Sequence, residues 1–148
     1  MFEQMFKKSD VGISLKTGPE TILFADGYPN EFKQVLLNIL NNAKDAIISN
    51  IETDSKIQGL IEINICNDEQ RDKIMISIGD NGGGIPEHLI AKIFEPYYTT
   101  KGEHGTGIGL YMSKTIIETN MGGSLTVRNV DGGAEFMVSL GVSKPEIV

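Results

Sequence analysis

Three groups of residues in this chain have the types and the spacing to hold a phosphorylated ligand. Asn38, Asn42 and Asp45 recur at i, i+4 and i+7, which sets their side chains on one helical stripe. Asparagine is a poor helix former, so two amides at this spacing call for a polar partner, and an amide oxygen is a competent ligand for Mg²⁺. Solvated amides are the simpler alternative for these positions taken alone. Asp80 ends an apolar run and enters Asn81-Gly82-Gly83-Gly84-Ile85-Pro86. A carboxylate there can accept a hydrogen bond from the amino group of a base, and Gly82 and Gly84 let a flat ring approach the backbone. A plain Asp-Asn-Gly turn is the competing reading. Gly105 to Leu110, with Gly107 and Gly109, opens a helix, and free N–H groups at a helix start suit phosphate. No Lys-Ser/Thr pair follows it and no strand precedes it, so it is neither a Walker loop nor a dinucleotide fingerprint. Thr99, Thr100 and Lys101 lie just upstream, where Lys101 could neutralise a terminal phosphate.

The bulk composition narrows the chemistry. A chain of 148 residues, 40% apolar and 22% charged, suits a single domain over 1–148 with a core of its own. A net charge of −7 argues against a nucleic-acid binder, which needs a basic stripe. Phosphate must therefore be held locally, by backbone N–H groups, a metal and a few cations. Cys66 is alone, which excludes an internal disulfide and a cysteine zinc site; it reads as a buried strand residue. His88 and His104 have no dyad pattern and read as surface residues. No apolar run approaches the ~18 residues of a membrane span, and MFEQMFKK lacks the apolar centre of a signal peptide, so the chain reads as cytoplasmic and free of membrane contact.

These residues need elements to position them. Val11, Ile13 and Leu15 alternate as a strand, and Thr21 to Ala25 reads as a second short strand. Asn30 is the expected N-cap of a helix from Glu31 to about Ser49, whose apolar face is Phe32, Val35, Leu36, Ile39, Leu40, Ala43 and Ile47. Asn50 to Lys56 reads as an exposed loop. Ile61 to Ile65 and Ile74 to Ile78 alternate around a turn at Asn67 to Gln70. Pro86 to Phe94 reads as a short helix, 95–106 as a mobile loop, and Ile108 to Thr119 as a helix closed by Gly122-Gly123. Leu125 and Val127, then Phe136, Val138 and Leu140, form a hairpin turned at Asp131-Gly132-Gly133. The order predicts a two-layer α/β (α+β) sandwich, with about three helices on one face of a mixed, mostly antiparallel sheet.

Together the motifs resemble the ATP-binding catalytic domain of sensor histidine kinases, in the gyrase–Hsp90–histidine kinase–MutL superfamily with its Bergerat-type fold. QVLLNILNNAKDA (Gln34 to Ala46) is similar to the N box, DNGGGIP to the G1 box, IFEPYYTTK (Ile93 to Lys101) to the F box and the start of an ATP lid at 95–107, and GTGIGL to the G2 box. MGGSL (Met121 to Leu125) is similar to the trailing glycine region. The resemblance implies ATP and Mg²⁺ as cofactors, with Asn42 on the metal and Asn38 beside the phosphates and their water. Asp80 would read the adenine amino group, and Gly82, Gly84 and Ile85 would line the base pocket with Ala46 and Leu110. Lys101 and the N–H groups of Gly105, Thr106, Gly107 and Gly109 would hold the phosphates, and Asp45, Thr99 and Thr100 complete the set.

In the hydrolytic branches a glutamate stands where this chain has Asn38, which cannot take a proton, so transfer to an imidazole is favoured over hydrolysis. Many members carry a basic and then an aromatic residue where this chain has Asp45 and Ala46. The resemblance also implies two partners: a histidine-bearing dimerisation domain and the receiver domain of a response regulator. No phosphoacceptor hairpin precedes Val11, so the chain reads as the excised catalytic part of a longer kinase. The alternatives of the same fold are a stand-alone serine kinase of the anti-sigma type, a non-catalytic nucleotide sensor and a gyrase-like ATPase.

Overall fold

The computed structural model describes residues 11–18, 22–53, 58–99 and 107–143. Among them, five strands form one sheet: β1 (Gly12–Thr17), β2 (Leu60–Asp68), β3 (Lys73–Asp80), β4 (Ser124–Val130) and β5 (Gly133–Gly141). The spatial order is β1-β2-β3-β5-β4. β1 runs parallel to β2, with Ile13 beside Ile61, and all other neighbours are antiparallel. The helices are α1 (Pro29–Thr53), α2 (Glu87–Ile90) and α3 (Gly109–Thr115), the last continued by a π-helical turn over Ile116–Asn120. This is the expected mixed, mostly antiparallel sandwich.

Period-2 alternation decides which face of the sheet meets the helices. Ile61, Ile74, Ile76, Ile78, Leu125, Phe136, Val138 and Leu140 are buried, and they pack with Val35, Ile39, Ala43 and Ile47 of α1 and Ile116 and Ile117 beyond α3. Phe94 meets Phe136 edge to face at 6.2 Å. Each fully buried aliphatic side chain contributes about 1.5–3 kcal/mol, so this layer, not helix propensity, holds the 25-residue α1 in place.

The structure corrects several expectations. Thr21 lies outside the described residues, and residues 22–25 form no strand. Among the described residues the segment joins no ladder of the sheet, and Ser143 N–H beyond β5 donates to Phe24 O at 2.6 Å. Ile22 and Phe24 are exposed, while Leu23 packs on the core. α1 begins at Pro29, which takes the N-terminal place assigned to Asn30, where a missing N–H is harmless. It runs past Ser49 to Thr53 because Ile51 extends the stripe of Ile47. The first hairpin turns at 69–72, not 67–70, with Arg71 N–H on Asp68 Oδ1. The helix expected over 86–94 is a single turn, 87–90. Cys66 is exposed: it shares the parity of Glu62 and Asn64, on the face opposite the helices. His88 is exposed, as expected.

Candidate functional site

Asp80 continues the inward row of β3, after Ile74, Ile76 and Ile78, so the fold carries a carboxylate into the apolar layer. It is 8% exposed. Its Oδ1 accepts from Gly82 N–H at 2.9 Å and from Ala134 N–H at 3.4 Å. Burial pushes its pKa above the ordinary 3.8, and the two N–H donors partly offset that rise.

Asp80 stands at the back of a cleft of about 540 Å³. One wall is α1, through Asn38, Asn41, Asn42, Asp45, Ala46 and Ser49. A second is the glycine loop after β3, through Gly84, Ile85 and Pro86, with Leu89 and Ile93 behind it. The mouth holds Tyr98, Thr99, Gly107, Gly109 and Leu110. Eleven of the expected site residues therefore meet around one space: Asn38, Asn42, Asp45, Ala46, Asp80, Gly84, Ile85, Thr99, Gly107, Gly109 and Leu110. Thr100, Lys101, Gly105 and Thr106 lie outside the described residues, as does His104.

Gly82 is the exception among the described residues. It does not line the cleft; a Cβ there would stand 2.7 Å from Ala46 Cβ and 2.9 Å from Ile47 N. Its bareness lets the loop touch the α1 backbone. Gly82→Ala is expected to force the two apart and lower stability by about 1–3 kcal/mol, as overpacking does. Urea unfolding of the two chains measures this; an unchanged midpoint would show that the contact yields freely.

The amides of α1 divide their work. Asn38 Nδ2 donates to Gly109 O and to Ser113 Oγ, each at 3.1 Å, and its Oδ1 accepts from Gln34 Nε2. Asn38 thus ties α1 to the start of α3 at the edge of the cleft. Ser113, fully buried, donates back to Gly109 O at 2.8 Å. Asn42, one turn on, makes no side-chain hydrogen bond to another described residue and faces the cleft. At the mouth, Tyr97 N–H donates to Gly107 O at 2.8 Å. Both residues have positive φ, 67° and 68°, and a Cβ on Gly107 would meet the Tyr97 backbone. The two ends of segment 98–106 are therefore tied at their base.

Three residues that sequence reasoning missed hold the glycine loop. Asn129 of β4 pairs with both backbone groups of Ile85. Asn50 Nδ2 donates to Asn81 O at 3.0 Å. Asn81 accepts from Leu60 N–H and donates to Gln58 O. A signal existed for Asn129: it shares the parity of Leu125 and Val127, and a polar side chain in an apolar row needs a partner.

A mixed sheet with helices on one face, and a cleft between an amide-bearing helix and a glycine loop with a buried carboxylate, define an ATP-binding α/β catalytic domain. Residues 27–144 match the family of histidine kinase-, DNA gyrase B- and HSP90-like ATPases, and the chain belongs to that family, as a catalytic domain of the histidine kinase kind. It is 38% identical over 128 residues to the two-component sensor PprA of Pseudomonas aeruginosa, covering 86% of this chain and 13% of PprA. It is 36% identical over 127 residues to the sensor histidine kinase ZraS of Salmonella typhimurium, covering 85% of this chain and 25% of ZraS. The chain thus spans a quarter or less of these two relatives. Among solved structures, the catalytic domain of histidine kinase ThkA superposes with a TM-score of 0.79 at 30% identity, over 95% of this chain and 84% of that one. ThkA in complex with the response regulator TrrA superposes at 0.70 and 27% identity, over 94% of this chain and 36% of that one.

Proposed function

We propose that this domain binds ATP with Mg²⁺ and donates the γ-phosphoryl group to a histidine on a separate dimerisation and phosphoacceptor domain, in two-component signal transduction. The observation that carries the reading is the cleft itself, lined by the buried Asp80 and, on its α1 wall, by an Asn42 amide that bonds no other described residue. Asp80 accepts a hydrogen bond from the adenine amino group, and Gly84, Ile85, Ala46 and Leu110 flank the ring. Gly107 and Gly109, with Lys101, Gly105 and Thr106 of a lid at 95–107, hold the phosphates, and Asp45, Thr99 and Thr100 border them.

The donor set fits Mg²⁺. Among the described residues no three His, Cys, Asp or Glu gather as a ligand cluster, and Mg²⁺ takes few protein oxygens when phosphates and water supply the rest. Asn42 would hold the ion, which when bound neutralises charge on the phosphates during transfer. Asn38 offers no base for water, which leaves an incoming imidazole as the preferred nucleophile. The chain's contribution is orientation and charge stabilisation.

The proposed partners are the histidine-bearing domain and, downstream, a response-regulator receiver domain that takes the phosphoryl group. No helix among the described residues is long and apolar enough to cross a membrane; we place the reaction in the cytoplasm, where ATP is supplied. Incubating the chain with a cognate histidine hairpin, labelled ATP and Mg²⁺ tests the reading. The expected product is an acid-labile phosphate on the hairpin's histidine. Acid-stable phosphoserine, or free phosphate alone, would overturn it.

A further inference from the structure

The glycine loop carries the wall of the cleft proposed to bind the base. Its Ile85 end is held by an amide from β4, the edge strand of the sheet. Ile85 N–H donates to Asn129 Oδ1 at 2.7 Å, and Asn129 Nδ2 donates to Ile85 O at 2.6 Å and to Glu87 Oε1 at 3.2 Å. The amide's orientation is set by these partners, an N–H on its oxygen and a carbonyl on its nitrogen. Gly84 beside it has φ 85°, and a Cβ there would stand 3.0 Å from Asn129 Oδ1. Gly83 N–H donates to Gly132 O at 3.0 Å. In the β4–β5 register Asn129 lies opposite Ala134, whose N–H bonds Asp80 and which lines the cleft.

We infer that Asn129 is a positioning residue that sets nucleotide affinity and base selectivity by clamping Ile85, without itself lining the cleft. The inference rests on the ATP reading above. The clamp holds Gly84 and Ile85 at the distance from Asp80 that a purine needs, so that ordering of the loop precedes binding and does not detract from it. Adenine presents an amino group to the Asp80 carboxylate, whereas guanine presents a carbonyl oxygen; a fixed loop enforces that difference.

The test compares ATP and GTP binding by the 148-residue chain and its Asn129→Ala and Asn129→Asp variants. Both variants are expected to bind ATP about tenfold more weakly and to lose preference for ATP over GTP. The aspartate should do at least as badly as the alanine, because it sets a carboxylate against Ile85 O and Glu87. Equal weakening for both nucleotides, or ATP affinity within about twofold of the parent, would overturn the role. A measurement on the unaltered chain covers variants that do not fold: the Ile85 amide should be protected from hydrogen exchange without nucleotide, and unprotected exchange would overturn the clamp. If the unaltered chain binds no ATP, the functional reading falls and the positioning role with it, while Ile85 protection still shows whether the clamp exists.

Discussion

Asn42→Ala is expected to reduce phosphoryl transfer to the histidine hairpin by at least about a hundredfold while leaving the fold intact. Removing the one protein oxygen proposed for the metal forfeits part of an electrostatic effect worth several kcal/mol, and each 1.36 kcal/mol is tenfold in rate. The fold should not notice. Asn42 makes no side-chain hydrogen bond to another described residue, and alanine is the better helix former, so the unfolding midpoint should stay within about 0.5 kcal/mol of the parent. The same change at Asn38 would not be clean, because its amide joins α1 to Gly109 and Ser113. A second signature separates a metal role from a general loss of affinity. ATP binding by the parent should strengthen with Mg²⁺, and binding by Asn42→Ala should respond much less. Asn42→Asp keeps an oxygen at the position and should restore part of the Mg²⁺ response. Full transfer activity in Asn42→Ala, or an unchanged Mg²⁺ dependence, would remove Asn42 from the metal site.

The parts of this domain that sequence alone made legible are those where one period repeats against one partner. The stripe from Val35 to Ile47 has a single solution as a helix, and the rows Ile74-Ile76-Ile78 and Phe136-Val138-Leu140 have a single solution as inward strand faces. The Thr21–Ala25 segment carries apolar residues too, yet of those described Leu23 packs on the core while Ile22 and Phe24 stay exposed, and residues 22–25 join none of the sheet's ladders. Which of its side chains finds a core partner is settled by tertiary packing, and alternation over five residues carries no trace of it. Cys66 sets residue type against position: its type favours burial, but its parity with Glu62 and Asn64 puts it on the open face, where it is exposed. Residue type alone gives Gly82 and Gly84 the same reason, close approach of a ligand ring. Gly84 borders the cleft, whereas Gly82 is bare because α1 lies against it. Asn129 was hidden by distance, 44 residues from the backbone it holds; only the sheet register brings the two together.

Asp80→Asn should separate binding from stability in opposite directions. The carboxyl is buried, and its pKa in the folded chain lies above the ordinary 3.8. Below about pH 3.8 it is protonated in both folded and unfolded chains, so its burial carries no charge penalty. As pH rises through the folded value, the unfolded chain has already released the proton that the folded chain retains, and stability falls. Above the folded value both states are ionised and the full desolvation penalty applies. An asparagine keeps an oxygen for the Gly82 and Ala134 N–H groups and carries no charge, so Asp80→Asn should match the parent at low pH and exceed it near neutrality. Denaturant midpoints across the acid range measure the divergence. Nucleotide binding should move the other way. With its oxygen held by the two backbone donors, the asparagine turns an N–H₂ toward the adenine amino group, donor against donor. Loss of a hydrogen bond to a charged acceptor costs roughly 1.5–3 kcal/mol, about ten- to a hundredfold in ATP affinity. A buried charge that lowers the stability of the empty domain and strengthens its hold on the ligand is the trade-off expected of a binding group rather than a structural one. If Asp80→Asn bound ATP as tightly as the parent, or proved less stable at neutral pH, Asp80 would be an anchor for the glycine loop and not the reader of the base.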